Sequence, residues 1–113
     1  MEKGVLREVQ ERIVRSFLDV LILAQLRKEP KSAYDIIAFI HEKFHILMSA
    51  GAVYSTMYSL ERDGLVQGNF ADRKRRARVY TLTDKGEKTI QAFLNVNDKI
   101  QLFVANLVGG PSG

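Results

Sequence analysis

The chain has 113 residues, of which 46% are hydrophobic and 27% charged, a balance typical of one globular domain and not of a disordered chain. It has no cysteine, which excludes disulfides and thiolate metal sites. The net charge is only +4, but several cations fall within residues 73–78, and a patch this concentrated favours an anionic partner.

The hydrophobic segments do not predict a membrane protein. The most apolar run, residues 17–26, is far shorter than a membrane-spanning helix and contains Asp19. The first ten residues carry charges of both signs and no long apolar segment, unlike a secretory signal. We therefore expect an intracellular, cytoplasmic protein with no membrane partner.

The first predicted element is a single helix from about Val5 to Lys28. Apolar residues recur along it at helical spacing. Between residues 17 and 26 they cover nearly the whole circumference, so we expect this half to be the central buried helix of the domain.

A second helix is predicted from about Ser32 to Phe44, because Ser32 and Asp35 form a capping-box pattern ahead of a buried stripe. A short connector leads to a third helix that begins at Ser49, and two helices joined in this way indicate a helix-turn-helix. Ser49 can cap the start of the third helix, and Gly64 can end it in a left-handed conformation.

The third helix has an outer face that suits contact with a nucleic acid. Small, hydroxyl-bearing and cationic residues lie opposite its apolar stripe, namely Gly51, Ser55, Tyr58, Ser59 and Arg62, with Tyr54 on the flank. Small residues allow the free N–H groups at the start of a helix to approach a phosphate. An ordinary amphipathic helix has a similar composition, so the interpretation depends on the segment C-terminal to this helix.

Two short strands are predicted after this helix, at residues 65–70 and 77–82. The cations of this region are Arg73, Lys74, Arg75, Arg76 and Arg78. Cations crowded at a loop repel one another, which indicates an anionic partner, although a solvated loop, a membrane-surface patch or a nuclear localisation signal has similar residues. A cationic hairpin after a helix-turn-helix is the winged-helix arrangement, in which the hairpin lies on the DNA backbone or minor groove.

The last predicted helix runs from about Lys85 to Val108, with Thr83 and Asp84 at its start. Its apolar positions alternate three and four apart around one polar position, and the face consists of Ile90, Phe93, Leu94, Asn97, Ile100, Phe103, Val104 and Leu107. A compact winged domain cannot cover this whole face, so we expect a homodimer in which Asn97 fixes the register. The alternative is a terminal helix folded back over the first helix.

These elements predict a mainly α (α+β) fold, a winged helix-turn-helix with a long C-terminal dimerisation helix. We expect the DNA-binding domain, including the N-terminal helix, over residues 1–82. The dimerisation helix is expected over residues 83–108, and a flexible tail over residues 109–113, whose glycines and proline cannot continue a helix.

One motif suggests a different class of protein. Residues 41–45, HEKFH, match the H-E-x-x-H pattern in which two histidines one helical turn apart bind zinc. His41 and His45 have the required spacing, and Glu61 or Glu87 could be the third ligand. The chain has no other histidine, and the segment is also explained as the polar flank of the second helix. We therefore expect no enzyme and no cofactor, with a zinc hydrolase or metal binding by the histidine pair as the alternative.

Four segments together resemble the PadR-type transcriptional regulators, at residues 21–26 (LILAQL), 33–36 (AYDI), 49–66 and 78–86. The resemblance covers roughly residues 17–90 in register. It implies a winged helix-turn-helix repressor that is dimeric through its terminal helices and binds a palindromic operator. It also implies DNA contacts by the wing cations, by Tyr34 near the start of the second helix, and by Tyr54, Ser55 and Tyr58.

The sequence departs from the family pattern in two ways. Ala33 stands where the family commonly has glycine, which bears on how closely the backbone approaches a phosphate. Only one helix comes after the wing, as in the shorter branch of the family, and the chain has no tryptophan. Because some relatives bind aromatic compounds at the dimer interface, a small-molecule effector is a candidate partner here, with Phe93 and Phe103 as the available aromatic residues.

The sequence thus predicts a homodimeric, sequence-specific repressor. The predicted contacts with double-stranded DNA are Tyr34, Ser49, Gly51, Tyr54, Ser55, Tyr58, Arg73, Lys74, Arg75, Arg76 and Arg78. A winged-helix module that binds protein is the alternative, and weak DNA binding that is indifferent to sequence would favour it.

Overall fold

A computed structural model describes residues 3–72 and 77–109. In chain order the elements are α1 (Lys3–Ser16), α2 (Leu18–Lys28), α3 (Ala33–Phe44), α4 (Ala50–Arg62), β1 (Val66–Asp72), β2 (Ala77–Leu82) and α5 (Asp84–Gly109). This is the predicted mainly α fold, a winged helix-turn-helix with a long helix after it. None of the helices within these ranges combines the length and the apolar content needed to cross a membrane.

The prediction of one continuous helix before Pro30 is wrong, because the chain divides into α1 and α2 at Phe17. Phe17 has φ −101° and ψ 16°, outside helical geometry. Hydrogen bonds nevertheless cross the division, from the Phe17 amide to the Ile13 carbonyl (2.9 Å) and from the Leu21 amide to the Phe17 carbonyl (2.8 Å). The apolar periodicity therefore continues through the break and does not reveal it.

The central position of α2 is confirmed. Its buried residues include Leu18, Ile22, Leu23 and Leu26, whereas α1 buries only Val14. The core is completed by the apolar stripes of the other helices and by the base of the hairpin. Most of α1 therefore lies on the surface of the protomer.

The capping box at the start of α3 is formed as predicted. The Asp35 amide donates to Ser32 Oγ (3.1 Å), and the Ser32 amide donates to Asp35 Oδ2 (3.0 Å). This satisfies two amides of the first turn and fixes where the helix begins. Ile36 and Ile40 then turn into the core, where both are fully buried.

The predicted ends of α4 are also confirmed. Ser49 Oγ accepts from the Ala52 amide (3.1 Å) at the N-terminus. At the C-terminus, Gly64 has φ +80°. The Leu65 amide donates to the Leu60 carbonyl (2.9 Å) and the Gly64 amide donates to the Glu61 carbonyl (3.0 Å). These two bonds make a Schellman motif, which favours glycine at the left-handed position.

The hairpin pairs β1 and β2 in antiparallel register, with Val66 opposite Leu82 and Gly68 opposite Tyr80. Its base belongs to the core, since Val66 and Tyr80 are buried. The main chain of Lys31, just before α3, bonds to that of Tyr80 in both directions (3.2 and 2.8 Å). The base of the wing is thus packed into the core and hydrogen-bonded to the segment that leads into α3.

The helix α5 ends at Gly109, one residue later than predicted, and the rest of the predicted tail, residues 110–113, lies outside the described ranges. Its buried residues, Gly86 and Ile90, both lie in its first two turns. The radius of gyration is 16.6 Å, above the roughly 13 Å expected for a compact domain of about 100 residues. This elongation agrees with a terminal helix that extends beyond the core.

Candidate DNA-binding surface

The outer face of α4 presents large polar side chains to solvent. Tyr54 and Tyr58 are 55% and 68% exposed, and Tyr34, in the first turn of α3, is 77% exposed. Gly51 has open space where a Cβ would lie, and Ser55 is also exposed. We call Gly51, Tyr54, Ser55 and Tyr58 the recognition face. Its hydroxyl groups can donate to, and accept from, a partner that approaches the start of the helix.

Ser49 lies at the N-cap of α4 and not within the helix. Its Oγ accepts from the Ala52 amide, so one lone pair already serves the helix. The hydroxyl proton is left to donate to an anion. Ser49 therefore has a structural role besides the predicted one in DNA contact.

The C-terminal end of α4 is joined to both strands of the wing through one carboxylate. Glu61 Oε1 and Oε2 accept from Arg78 Nη1 (3.1 Å) and Nη2 (2.7 Å), and Oε2 also accepts from the Gly68 amide (2.9 Å). We call Glu61, Gly68 and Arg78 the Glu61 bridge. The Arg78 guanidinium also lies over the Tyr80 ring, 5.2 Å from its centre. The predicted DNA contact Arg78 is thus engaged inside the protomer, where it positions the wing against α4.

Gly68 makes this arrangement possible. A Cβ at this position would collide with the Arg78 guanidinium and lie 2.9 Å from Cε1 of Tyr80. Glycine therefore allows the arginine to cross over β1 and reach Glu61. The requirement comes from close approach and not from the backbone dihedral angles, which any residue could adopt in a strand.

The bridge changes the acidity of its carboxyl group. Hydrogen bonds from the Arg78 guanidinium, and secondarily from the Gly68 amide, hold the pKa of Glu61 below its ordinary value. The hydrogen bonds to Glu61 also raise the pKa of Arg78. A carboxyl group with a lowered pKa in the folded state stabilises that state at pH values above its unfolded pKa, and the stabilisation is lost as the pH falls through the folded pKa.

We therefore expect Glu61→Gln to destabilise the protein in a pH-dependent way. At pH 7 the loss should be about 1 kcal/mol, below the value for a buried charged hydrogen bond because both side chains are partly exposed. The difference from the unmodified protein should shrink as the pH falls below the ordinary carboxyl range and the native Glu61 itself becomes protonated. Urea unfolding at several pH values measures it. An equal difference at every pH would contradict the role of the charge.

The tip of the wing carries the remaining predicted cations. Arg73, Lys74, Arg75 and Arg76 lie outside the described residues. Their contact with DNA stays a prediction from the sequence. The structure shows only that the strands leading to them are anchored through the Glu61 bridge.

The predicted dimer face of α5 divides into two parts. Ile90 is 3% exposed and belongs to the core of the protomer, so its burial there corrects its assignment to the interface. Phe93 packs edge-to-face on Phe17 of the same chain, with ring centres 5.2 Å apart. Asn97 is half-buried. The remaining apolar members are exposed, namely Leu94, Ile100, Phe103, Val104 and Leu107.

A second exposed apolar stripe lies on α1 and was not assigned to an interface from the sequence. Val5, Leu6, Val9 and Ile13 are each 44–55% exposed. The helical spacing of these apolar residues is visible in the sequence. It was attributed to the buried face of one long helix and therefore did not indicate an interface. Because this stripe is exposed in the protomer, it is available to a partner.

The HEKFH segment does not form the metal site of the H-E-x-x-H pattern. His41 lies in the last turn of α3, but His45 comes after the helix in a left-handed conformation, with φ 56°. Glu61 is engaged by Arg78, and Glu87 pairs with Arg27 at 2.9 Å. Within residues 3–72 and 77–109, no three histidine, aspartate or glutamate side chains are grouped to hold a metal ion.

Comparison with known proteins gives a family and a set of similar structures. The family model of the transcriptional regulator PadR-like family matches residues 22–92. A PadR family regulator from Eggerthella lenta has a TM-score of 0.82 at 22% identity over 95% of both chains. A transcriptional regulator from Clostridium thermocellum has a TM-score of 0.77 at 20% identity, over 86% of this chain and 98% of its own. None of the curated proteins matches the sequence.

One similar structure contains nucleic acid. Bacillus subtilis PadR, solved in complex with operator DNA, is 26% identical with a TM-score of 0.62, over 68% of this chain and 46% of its own. The family and these neighbours are transcriptional regulators and not enzymes, so the zinc hydrolase alternative is wrong. Because the family match covers more than half of the sequence, this chain belongs to the PadR-like family of transcriptional regulators.

Proposed function

We propose that this protein is a homodimeric, sequence-specific repressor that binds a palindromic operator in double-stranded DNA. The observation that carries the proposal is the recognition face, where two tyrosines are more than half exposed on a helix whose opposite stripe, Val53 and Met57, is fully buried. Exposed aromatic side chains with hydroxyl groups suit binding to a polar partner. The operator complex of the 26% identical B. subtilis protein supports DNA as that partner.

The helix α4 would enter the major groove, with its N-terminal amides near a phosphate and its tyrosines at base edges. The cationic tip of the wing, residues 73–76, would lie on the backbone or the neighbouring minor groove. The Glu61 bridge supports these separate roles of α4 and the wing, because it fixes the base of the wing to the end of α4. We propose that the protein acts in the cytoplasm, where the DNA that it regulates is located.

The homodimer is proposed from the apolar surface that the protomer leaves uncovered. Ile100, Phe103 and Leu107 on α5 are exposed, and α1 carries a second stripe of this kind. Two copies joined through these helices would present two recognition faces to half-sites about one helical turn, or a multiple of it, apart. Repression is the simplest mode of action, because a protein bound at an operator blocks other proteins from that DNA.

A small-molecule effector at the interface between copies remains part of the proposal. Phe103 is exposed and could stack on an aromatic compound there. Phe93 is already packed against Phe17, so it would contribute to such a site only by its remaining exposed edge.

The proposal is tested by binding the purified protein to genomic DNA fragments at several salt concentrations, with the oligomeric state measured by light scattering. We expect a dimer that protects discrete sites and binds them more tightly than bulk DNA. Uniform binding that depends only on salt would contradict sequence recognition. No binding together with capture of a protein partner would favour the protein-interaction alternative.

Tyr58→Phe tests the recognition face, since it removes one hydroxyl and keeps the ring. We expect affinity for the operator to fall about two- to tenfold, the value of one hydrogen bond, with affinity for random DNA nearly unchanged. Competition binding measures the ratio of the two affinities. An equal loss of both affinities in Tyr58→Phe would contradict its role in specificity.

A further inference from the structure

A cavity of about 400 Å³ lies between α2 and α3. We call it the α2–α3 cavity. Leu21 and Ala24 from α2, and Phe39 and Phe44 from α3, form its apolar floor. Its volume is within the range of sites that bind small molecules, and it is built within a single protomer. The exposed stripe of α5 contributes no residue to it.

The rim of the cavity is cationic. Lys28, Lys31 and Lys43 line it together with Glu29. Glu29 pairs with Lys31 (2.7 Å), which cancels one positive charge. Within the described ranges, no ion pair includes Lys28 or Lys43. An apolar floor beside two uncompensated cations is complementary to a molecule with an apolar body and a negative end.

Gln25, which also lines the cavity, is only 8% exposed. Its Nε2 donates to the Leu21 carbonyl at 3.4 Å, whereas its buried Oε1 accepts no hydrogen bond from the residues that the structure describes. A buried acceptor without a partner is unfavourable. Because this oxygen has almost no accessible surface, a molecule in the cavity does not reach it, and the apolar floor and the cationic rim alone indicate the kind of ligand.

We propose that the α2–α3 cavity binds an amphipathic carboxylate, with its chain against the apolar floor and its carboxylate near Lys28 and Lys43. No residue of the recognition face or of the exposed stripes of α1 and α5 lines this cavity. Binding at this site does not depend on the proposed function and is measured without DNA.

Titration of the ¹⁵N-labelled 113-residue chain with octanoate, monitored by NMR, tests the proposal. We expect saturable shifts of amides around the cavity, including Ala24 and Phe39, and little change at Phe103. Octylammonium, which has the same chain and the opposite charge, should bind about tenfold more weakly.

Variants locate the site independently. Ala24→Phe should fill the floor and abolish the octanoate shifts, whereas Ala38→Phe, the same change at an exposed position of α3 outside the cavity, should preserve them. The combined Lys28→Gln and Lys43→Gln change should remove the preference for octanoate over octylammonium. Shifts confined to α5, equal binding of the two ligands by the unmodified protein, or no saturable shift would overturn the proposal.

Discussion

The combined change Phe103→Asp and Leu107→Asp is expected to separate the proposed dimer and to reduce affinity for the proposed operator by about 100-fold or more, because two linked half-site contacts become two independent ones. Both side chains are exposed in the protomer, 64% and 68%, so the new carboxylates should leave its fold intact. In a dimer that packs this face against a second copy, the same carboxylates would be buried without partners, which is strongly unfavourable. The double substitution is thus expected to weaken both the association of two copies and their binding to DNA.

Light scattering gives the oligomeric state of this variant, and titration with a two-half-site operator gives its affinity. The matched control is Asn95→Asp with Asn106→Asp, which adds the same two charges on the side of α5 opposite the apolar stripe. The control should remain a dimer and lose little affinity beyond the effect of added negative charge. A dimeric Phe103 and Leu107 variant with full operator affinity would show that the copies associate elsewhere.

The helix-turn-helix could be predicted from the sequence because its signals are local. Ser49, the apolar stripe of α4 and Gly64 lie within one short segment, and each acts on the backbone within a few residues of itself. The exposure of Tyr54 and Tyr58 results from the same helical period. The break between α1 and α2 had no such signal, because the hydrogen bonds around Phe17 preserve the spacing of the helix.

The roles of Arg78 and Ile90 could not be read in the same way. Arg78 belongs to a basic run in sequence, but its partner Glu61 lies on α4 and meets it only when the hairpin folds back. Ile90 continues the apolar series of α5, and only the position of the core separates it from the exposed members. In both cases the sequence pattern identifies a cationic or an apolar position. Tertiary contacts decide which partner the side chain at that position has.

Gly86→Ala is expected to lower the free energy of unfolding by about 2–3 kcal/mol, as overpacking of a rigid contact does. A Cβ at Gly86 would collide with the Leu65 carbonyl oxygen and lie 2.6 Å from Cδ1 of Leu82. The carbonyl cannot easily move, since it accepts from both the amide (3.1 Å) and the hydroxyl (3.0 Å) of Thr83, the residue that precedes α5. Urea unfolding at one fixed protein concentration measures the loss, because the stability of the proposed dimer depends on concentration.

Gly51→Ala is the matched control, a glycine-to-alanine change within a helix where no atom lies near the added methyl group. Alanine favours a helix over glycine by up to about 1 kcal/mol, so stability should be kept or slightly increased. The same methyl group stands on the recognition face and should weaken operator binding. A Gly86→Ala protein as stable as the control would show that the contact with Leu65 can relax. Lower stability in Gly86→Ala, with weaker operator binding at unchanged stability in Gly51→Ala, would assign the first glycine to close packing at the start of α5 and the second to close approach to DNA.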